Sequence, residues 1–231
     1  MLGPVNYAIS LVVILVELVS LVCVLKKRAF SEHFTLVLYL CANFATDAGG
    51  YSILKTSGFE SNAYWYFYFY SQFLLTICLY FVLMNLYSLV LSEMGAAKHI
   101  RTAAMLILAG TVGISYYMVA STSHRFVTYF VLELGQNLFF VGVVLTYVLW
   151  GAMAKLRENR TRLVQLVLSM GVYVSLSAGS YALLNLYPNH DFWQYYFPIT
   201  AIWLPASWAY TFLKVPEDAR LATARVLAAN Q

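Results

Sequence analysis

Three carboxylates, Glu17, Asp47 and Glu133, fall inside long apolar runs of this chain. An acid at mid-membrane depth costs at least about 2.5 kcal/mol on insertion scales. It therefore needs a partner, a water-filled space or a proton. Acids placed this way suit three kinds of chemistry: holding a polar or cationic ligand, passing protons, or pairing with another chain. Asp47 sits in the stretch FATDAGGYSIL, next to two glycines and a tyrosine. Helical spacing puts Asn43, Asp47, Gly50 and Tyr51 on one face. Ala42, Ala45 and Gly49 lie nearly opposite, where small residues let a neighbouring helix approach. By the same spacing Glu133 shares a face with Tyr129, Gln136, Asn137 and Phe140, and Glu17 aligns with Asn6, Ser10 and Ser20.

Depth links these faces. At about 1.5 Å per residue, Asp47 and Glu133 both lie roughly 10 Å below the outer surface. Gln72, Ser177, Ser180 and Thr200 fall at a similar level, and Glu17 lies deeper. We expect an outward-opening polar pocket floored by Asp47, Glu133 and Gln72. Further ligand contacts are expected from Tyr68, Asn43, Tyr51, Gln136, Asn137, Tyr173, Ser177, Thr200 and Trp203. The staged depths of Glu17, Asp47 and Glu133 also suit a proton relay. The hydroxyls and amides taken singly equally suit interhelical contacts contributing about 0.6 kcal/mol each. Seven consecutive aromatics, Tyr64 to Tyr70, open one run. Trp and Tyr favour the membrane interface. A helix spreads seven neighbours around its whole circumference, however, so some must face inward. Tyr68 stands one turn above Gln72. Aromatic faces beside carboxylates suit an organic cation, or a groove for a lipid, quinone or pigment.

The elements that position these residues follow from composition. The 231 residues are 61% hydrophobic and 10% charged, against about 25% charged in a soluble domain. Seven runs are long enough to cross a bilayer, at roughly 4–25, 33–54, 63–92, 102–121, 126–151, 163–187 and 193–214. Of the 14 Lys and Arg residues, only Lys55 and Arg125 fall on one side of these runs. The positive-inside rule then places the N-terminus outside and the C-terminus in the cytoplasm. The net charge of +4 is spread over loops rather than gathered in a patch, so nucleic acid is not an expected partner. The expected fold is all-α, a polytopic seven-transmembrane-helix bundle over residues 1–216. A short basic cytoplasmic tail, 217–231, reads as an Ala-rich helix on the membrane surface. Short loops predict that consecutive helices are antiparallel neighbours, and no internal repeat of the kind common in transporters is visible. The first run lacks a basic flank and a cleavage site, so we expect a retained helix. Cys23, Cys41 and Cys78 read as small buried hydrophobes.

Several chemistries are disfavoured. A covalent retinal needs a lysine in the middle of the last helix, whose only lysine, Lys214, is at its cytoplasmic end. His33, His99, His124 and His190 lie at loops or span ends, which disfavours haem. The PNHDF stretch, with His190 and Asp191, reads with His124 as polar loop rather than metal site. No HExxH, GxSxG or P-loop pattern occurs, and an enzyme is the weakest reading. In span count, length and polar outer face, the chain resembles the seven-helix sensor or receptor-type membrane domains that precede bacterial histidine kinases. That resemblance implies a receptor-like protein of the bacterial cytoplasmic membrane. With no output domain after the last span, it would signal through a separate cytoplasmic partner. A proton-coupled carrier and a structural subunit of a larger membrane complex are the alternatives, and a second copy of the chain, as a homo-oligomer, is a further candidate partner.

Overall fold

The computed structural model describes residues 4–26, 33–58, 61–91, 97–120, 126–158, 160–187 and 192–217. Among the described residues the chain forms seven α-helices and no strand. They are α1 (Pro4–Lys26), α2 (Phe34–Ser57), α3 (Asn62–Val90), α4 (Ala97–Val119), α5 (Phe126–Leu156), α6 (Thr161–Leu186) and α7 (Trp193–Lys214). Their limits match the apolar runs to within a few residues. The tail expected at 217–231 lies outside the described residues beyond Glu217.

Five helices are long and apolar enough to cross a membrane: those containing Ala8–Lys26, Asn62–Val90, Thr102–Val119, Tyr129–Leu156 and Thr161–Leu184. The chain is a multi-pass membrane protein. α2 and α7 are not among these five. The physical reason is visible in their sequences: Asn43, Thr46, Asp47, Gly49 and Gly50 dilute α2, and Thr200, Pro205 and Ser207 dilute α7. Large apolar side chains that face outward are consistent with a lipid surround, among them Leu15, Leu106, Ile114, Val144 and Ile199.

Local chemistry sets the helix ends. α2 stops at Gly58, whose φ of 78° is open to glycine at no steric cost. Its N–H caps the Leu54 carbonyl at 3.1 Å. Ser61 then starts α3, its hydroxyl oxygen accepting from the Tyr64 N–H at 3.2 Å, the ordinary N-cap arrangement. α5 ends on Arg157 at φ 53°. The Glu158 N–H bonds the Met153 carbonyl and the Arg157 N–H bonds the Ala154 carbonyl, a Schellman closure. A non-glycine residue in that conformation costs about 1 kcal/mol. The next residues restrain it: Glu158 forks onto the Arg160 guanidinium at 2.9 and 2.6 Å, and Arg160 also donates to the Leu89 carbonyl at the end of α3.

α1, α2, α3, α5, α6 and α7 form a closed ring in that order, α7 returning to pack on α1. α4 stands outside it, against α5 and more lightly against α3. Consecutive helices are thus in contact throughout, as expected, but α3 also packs on α5, more extensively than on α4. Tyrosine hydroxyls tie these contacts to main-chain acceptors: Tyr80 donates to the Ala104 carbonyl of α4 at 2.6 Å, and Tyr87 donates to the Leu145 carbonyl of α5. α5 and α6 approach closely at Gly171, where a Cβ would stand 2.5 Å from the Trp150 ring and 2.6 Å from Thr146.

The two ends of the ring differ. One holds the start of α2, the end of α3, the start of α6 and the end of α7. It is filled by Leu36, Leu40, Leu83, Leu86, Leu166, Met170, Trp208 and Phe212, all essentially without exposure. The opposite end, built from the other halves of the same helices, contains a cavity.

Candidate functional site

The cavity has a volume of about 320 Å³, within the range of small-molecule sites. α1 contributes Ser10 and Val13, α2 contributes Tyr39, Asn43, Asp47, Gly50 and Tyr51, and α3 contributes Tyr64, Phe67, Tyr68, Ser71, Gln72 and Thr76. α6 adds Tyr173, Ser177, Ser180 and Tyr181, α7 adds Thr200 and Ala201, and Phe139 of α5 closes one side. The α2 residues 39, 43, 47, 50 and 51 follow the three- and four-residue spacing of one helix face. On the back of that helix a Cβ on Gly49 would lie 2.9 Å from the Phe67 ring, so Gly49 lets α3 close the wall. Ala45, expected beside it as a packing residue, is exposed instead.

Behind the cavity wall stands Glu17 of α1, fully buried at 0% exposure. Its Oε1 accepts a hydrogen bond from Asn43 Nδ2. Its Oε2 meets no donor among the described residues. The Asp47 carboxyl lies within hydrogen-bonding reach of Glu17. A carboxylate donates nothing, so a hydrogen bond between these two acids forms only when one of them carries a proton. Tyr39 and Tyr173 face the same pair from α2 and α6, and Tyr64 and Tyr68 face Asp47 from α3. Ser20, one turn beyond Glu17, is fully buried and donates to main-chain carbonyls, its hydroxyl 2.7 Å from both Val16 O and Pro205 O.

The hydroxyls of the wall are oriented by their own helices. Ser71 donates to the Phe67 carbonyl at 2.7 Å, Thr76 to Gln72 at 2.8 Å, Ser180 to Leu176 at 2.6 Å and Thr200 to Tyr196 at 3.0 Å. Each commits its proton one turn back along the helix and keeps only lone pairs for another partner. On α7, Pro205 has no N–H to give to the Ala201 carbonyl, and Ala201 is on the wall. α7 continues as helix through both Pro198 and Pro205. The remaining surface is aromatic. Tyr64 and Tyr68 stack with ring centres 6.4 Å apart, and Phe139 lies 5.6 Å from Tyr181 and 6.4 Å from Tyr173. No lysine, arginine or histidine is among the described residues lining the cavity.

The structure divides the residues singled out from the sequence. Asp47, Gln72, Tyr68, Asn43, Tyr51, Tyr173, Ser177 and Thr200 come together on the cavity wall. Glu133, Gln136, Asn137 and Trp203 do not line it. Asn137 donates to Ser115 of α4 at 3.0 Å and to Glu133 at 3.3 Å, so this polar group faces the outlying helix. The Trp203 N–H donates to the Ser169 carbonyl of α6 at 3.2 Å. Glu17, expected as a deep relay group, adjoins Asp47 directly. The loop histidine His124 and the pair His190 and Asp191 lie outside the described residues. Tyr39, Thr46, Phe67, Phe139 and Tyr181 were not singled out. Tyr39 was accessible to the same reasoning, since 39, 43 and 47 are spaced by four.

Compared with family models, curated proteins and solved structures, the chain matches none.

Proposed function

We propose that this chain is a seven-span membrane protein of the bacterial cytoplasmic membrane that takes a small ligand in an outward-facing cavity and acts as a receptor. The observation that carries the reading is the single-ended cavity, with Asp47, Asn43 and Gln72 on its wall and tightly packed leucines at the other end of the ring. Orientation rests on the cations: among the described residues Lys55 lies at the cavity end of α2, whereas Lys26, Lys155, Arg160, Arg162 and Lys214 lie at the packed end, and the remaining cations follow the same bias in the sequence. In the receptor reading, α7 connects the two ends. It supplies Thr200 and Ala201 to the cavity and Trp208 and Phe212 to the packed end, so a ligand pressing on the former biases the packing of the latter. The output is then read by a separate cytoplasmic partner.

A proton-coupled carrier is the second reading, and the adjacency of Glu17 and Asp47 favours it. Two measurements separate these. Native mass spectrometry of the purified protein should find a co-purified small molecule that is lost in Asp47→Asn. Proteoliposomes loaded with wild-type protein should then show no uptake of that molecule. Asp47-dependent uptake would establish the carrier. A cysteine at Ser57 that labels only from the cytoplasmic side would overturn the orientation.

A further inference from the structure

The chemistry of the cavity narrows what it holds, granting that it is a ligand site. Among its described residues the wall carries an acid and no lysine, arginine or histidine, and several of its polar groups offer only acceptor atoms. Asp47 is a carboxyl group, and Ser71, Thr76, Ser180 and Thr200 have each given their proton to their own helix. Asn43 has spent an amide N–H on Glu17, and the Ala201 carbonyl has lost its helical donor to Pro205. Aromatic rings from four helices line the same cavity: Tyr39, Phe67, Tyr68, Phe139 and Tyr173. Ring faces attract cations through the quadrupole, more strongly where water is excluded. An anion would meet like charge at Asp47 and unpaired acceptor oxygens on several helices. A cation with N–H donors would meet neither.

The second acid supplies the rest. Glu17 Oε2 is fully buried and meets no donor among the described residues, and Asp47 is beside it. Two adjacent buried carboxylates with no neighbouring cation repel strongly in a medium of low dielectric. One proton between them removes a charge and makes the missing hydrogen bond. The other groups facing the pair are the phenols of Tyr39, Tyr64, Tyr68 and Tyr173. Among the described residues α7 presents only Thr200 and Ala201 to the cavity, and α5 only Phe139. No other acid and no base competes for that proton among the described residues of the wall.

We propose that the cavity binds a small organic ammonium ion against Asp47, and that its arrival releases the one proton that Glu17 and Asp47 otherwise share. The exchange balances. One O–H bond breaks heterolytically, its electron pair stays on the carboxylate, the proton leaves through the cavity mouth to water, and one positive charge replaces another. Glu17 acts through Asp47 and Asn43 as a positioning residue rather than touching the ligand.

The test uses purified full-length protein in detergent, with cyclohexylammonium as probe and uncharged cyclohexanol as its counterpart. Titration calorimetry in two buffers of different ionisation heat counts the protons. The expected result is about one proton released per cation bound. On the acid side, affinity should fall by on the order of tenfold per pH unit, and cyclohexanol should bind at least about tenfold more weakly. Glu17→Gln should still bind the cation but release no proton and lose the pH dependence, a pattern that a purely structural role would not produce. Asp47→Asn should lose the preference for the cation. Cation binding without proton release in the wild type would overturn the exchange. Equal binding of cyclohexanol, or no binding of either probe, would overturn the ligand class. A small molecule co-purifying with the protein in either case would leave the cavity itself standing as a ligand site. An empty cavity in both experiments would sink both.

Discussion

Arg162, at the first turn of α6, grips the carbonyl of Val215, the residue that closes α7. Its Nε and Nη2 donate to that oxygen at 3.3 and 3.0 Å, and its guanidinium lies 5.5 Å from the centre of the Phe212 ring. Nη1 reaches Glu217 at 3.4 Å, but Glu217 is largely exposed, so that ion pair adds little. The buried contacts dominate. Arg162→Ala should cost about 2 kcal/mol, since hydrogen bonds to a charged group contribute on that scale. Arg162→Lys should recover less than half, because an ammonium lacks the planar fork. Thermal unfolding in detergent measures both.

Asn43 provides Glu17 with a donor on the buried side of α2. Asn43→Leu should leave that carboxyl oxygen without a partner and cost about 1–3 kcal/mol. Glu17→Gln keeps the shape and brings an amide N–H towards Asp47. It should unfold at or above the wild-type temperature, and a clear fall would contradict the facing-acid geometry.

Glycines separate packing from cavity. Gly171→Ala drives a methyl group into Trp150 and Thr146 and should destabilise by about 1–3 kcal/mol, the usual cost of overpacking. Gly50→Ala is different, because its Cβ would meet only the Phe67 ring, at an ordinary 3.7 Å. That variant should unfold like the wild type yet bind the co-purified ligand more weakly, since Gly50 lines the cavity.

Glu133→Leu should leave ligand binding unchanged, because its polar partner is Asn137 and that pair faces Ser115 of α4. Sites that share no partners act independently. Loss of ligand in this variant, as measured by native mass spectrometry, would show that α5 turns its polar face inward in the bound state.

Much of this site was legible in the sequence, and the failures have a common cause. Helix spacing alone put Asn43, Asp47, Gly50 and Tyr51 on one face, and all four line the cavity. Position along the chain sets depth at a fixed rise per residue, which placed Gln72, Ser177 and Thr200 in the right layer. Depth says nothing about which way a helix is turned. Glu133 shares the layer of Asp47, but its face of α5 meets α4, which stands outside the ring. Glu17 was assigned a separate, deeper station, although the α1–α2 contact brings it to Asp47. Both differences lie in the rotation and ring order of helices, which long-range packing decides and local spacing does not encode.

The leucine-filled end of the ring has a kinetic consequence. In the proposed receptor a guest meets no rear exit among the described residues, so it departs through the mouth by which it arrived. Loading and escape then share one doorway, at the end of the ring whose wall includes Tyr64 and Tyr68. A bulky blocker lodged there would slow both by the same factor. It would exclude newcomers when added first and imprison the occupant when added second.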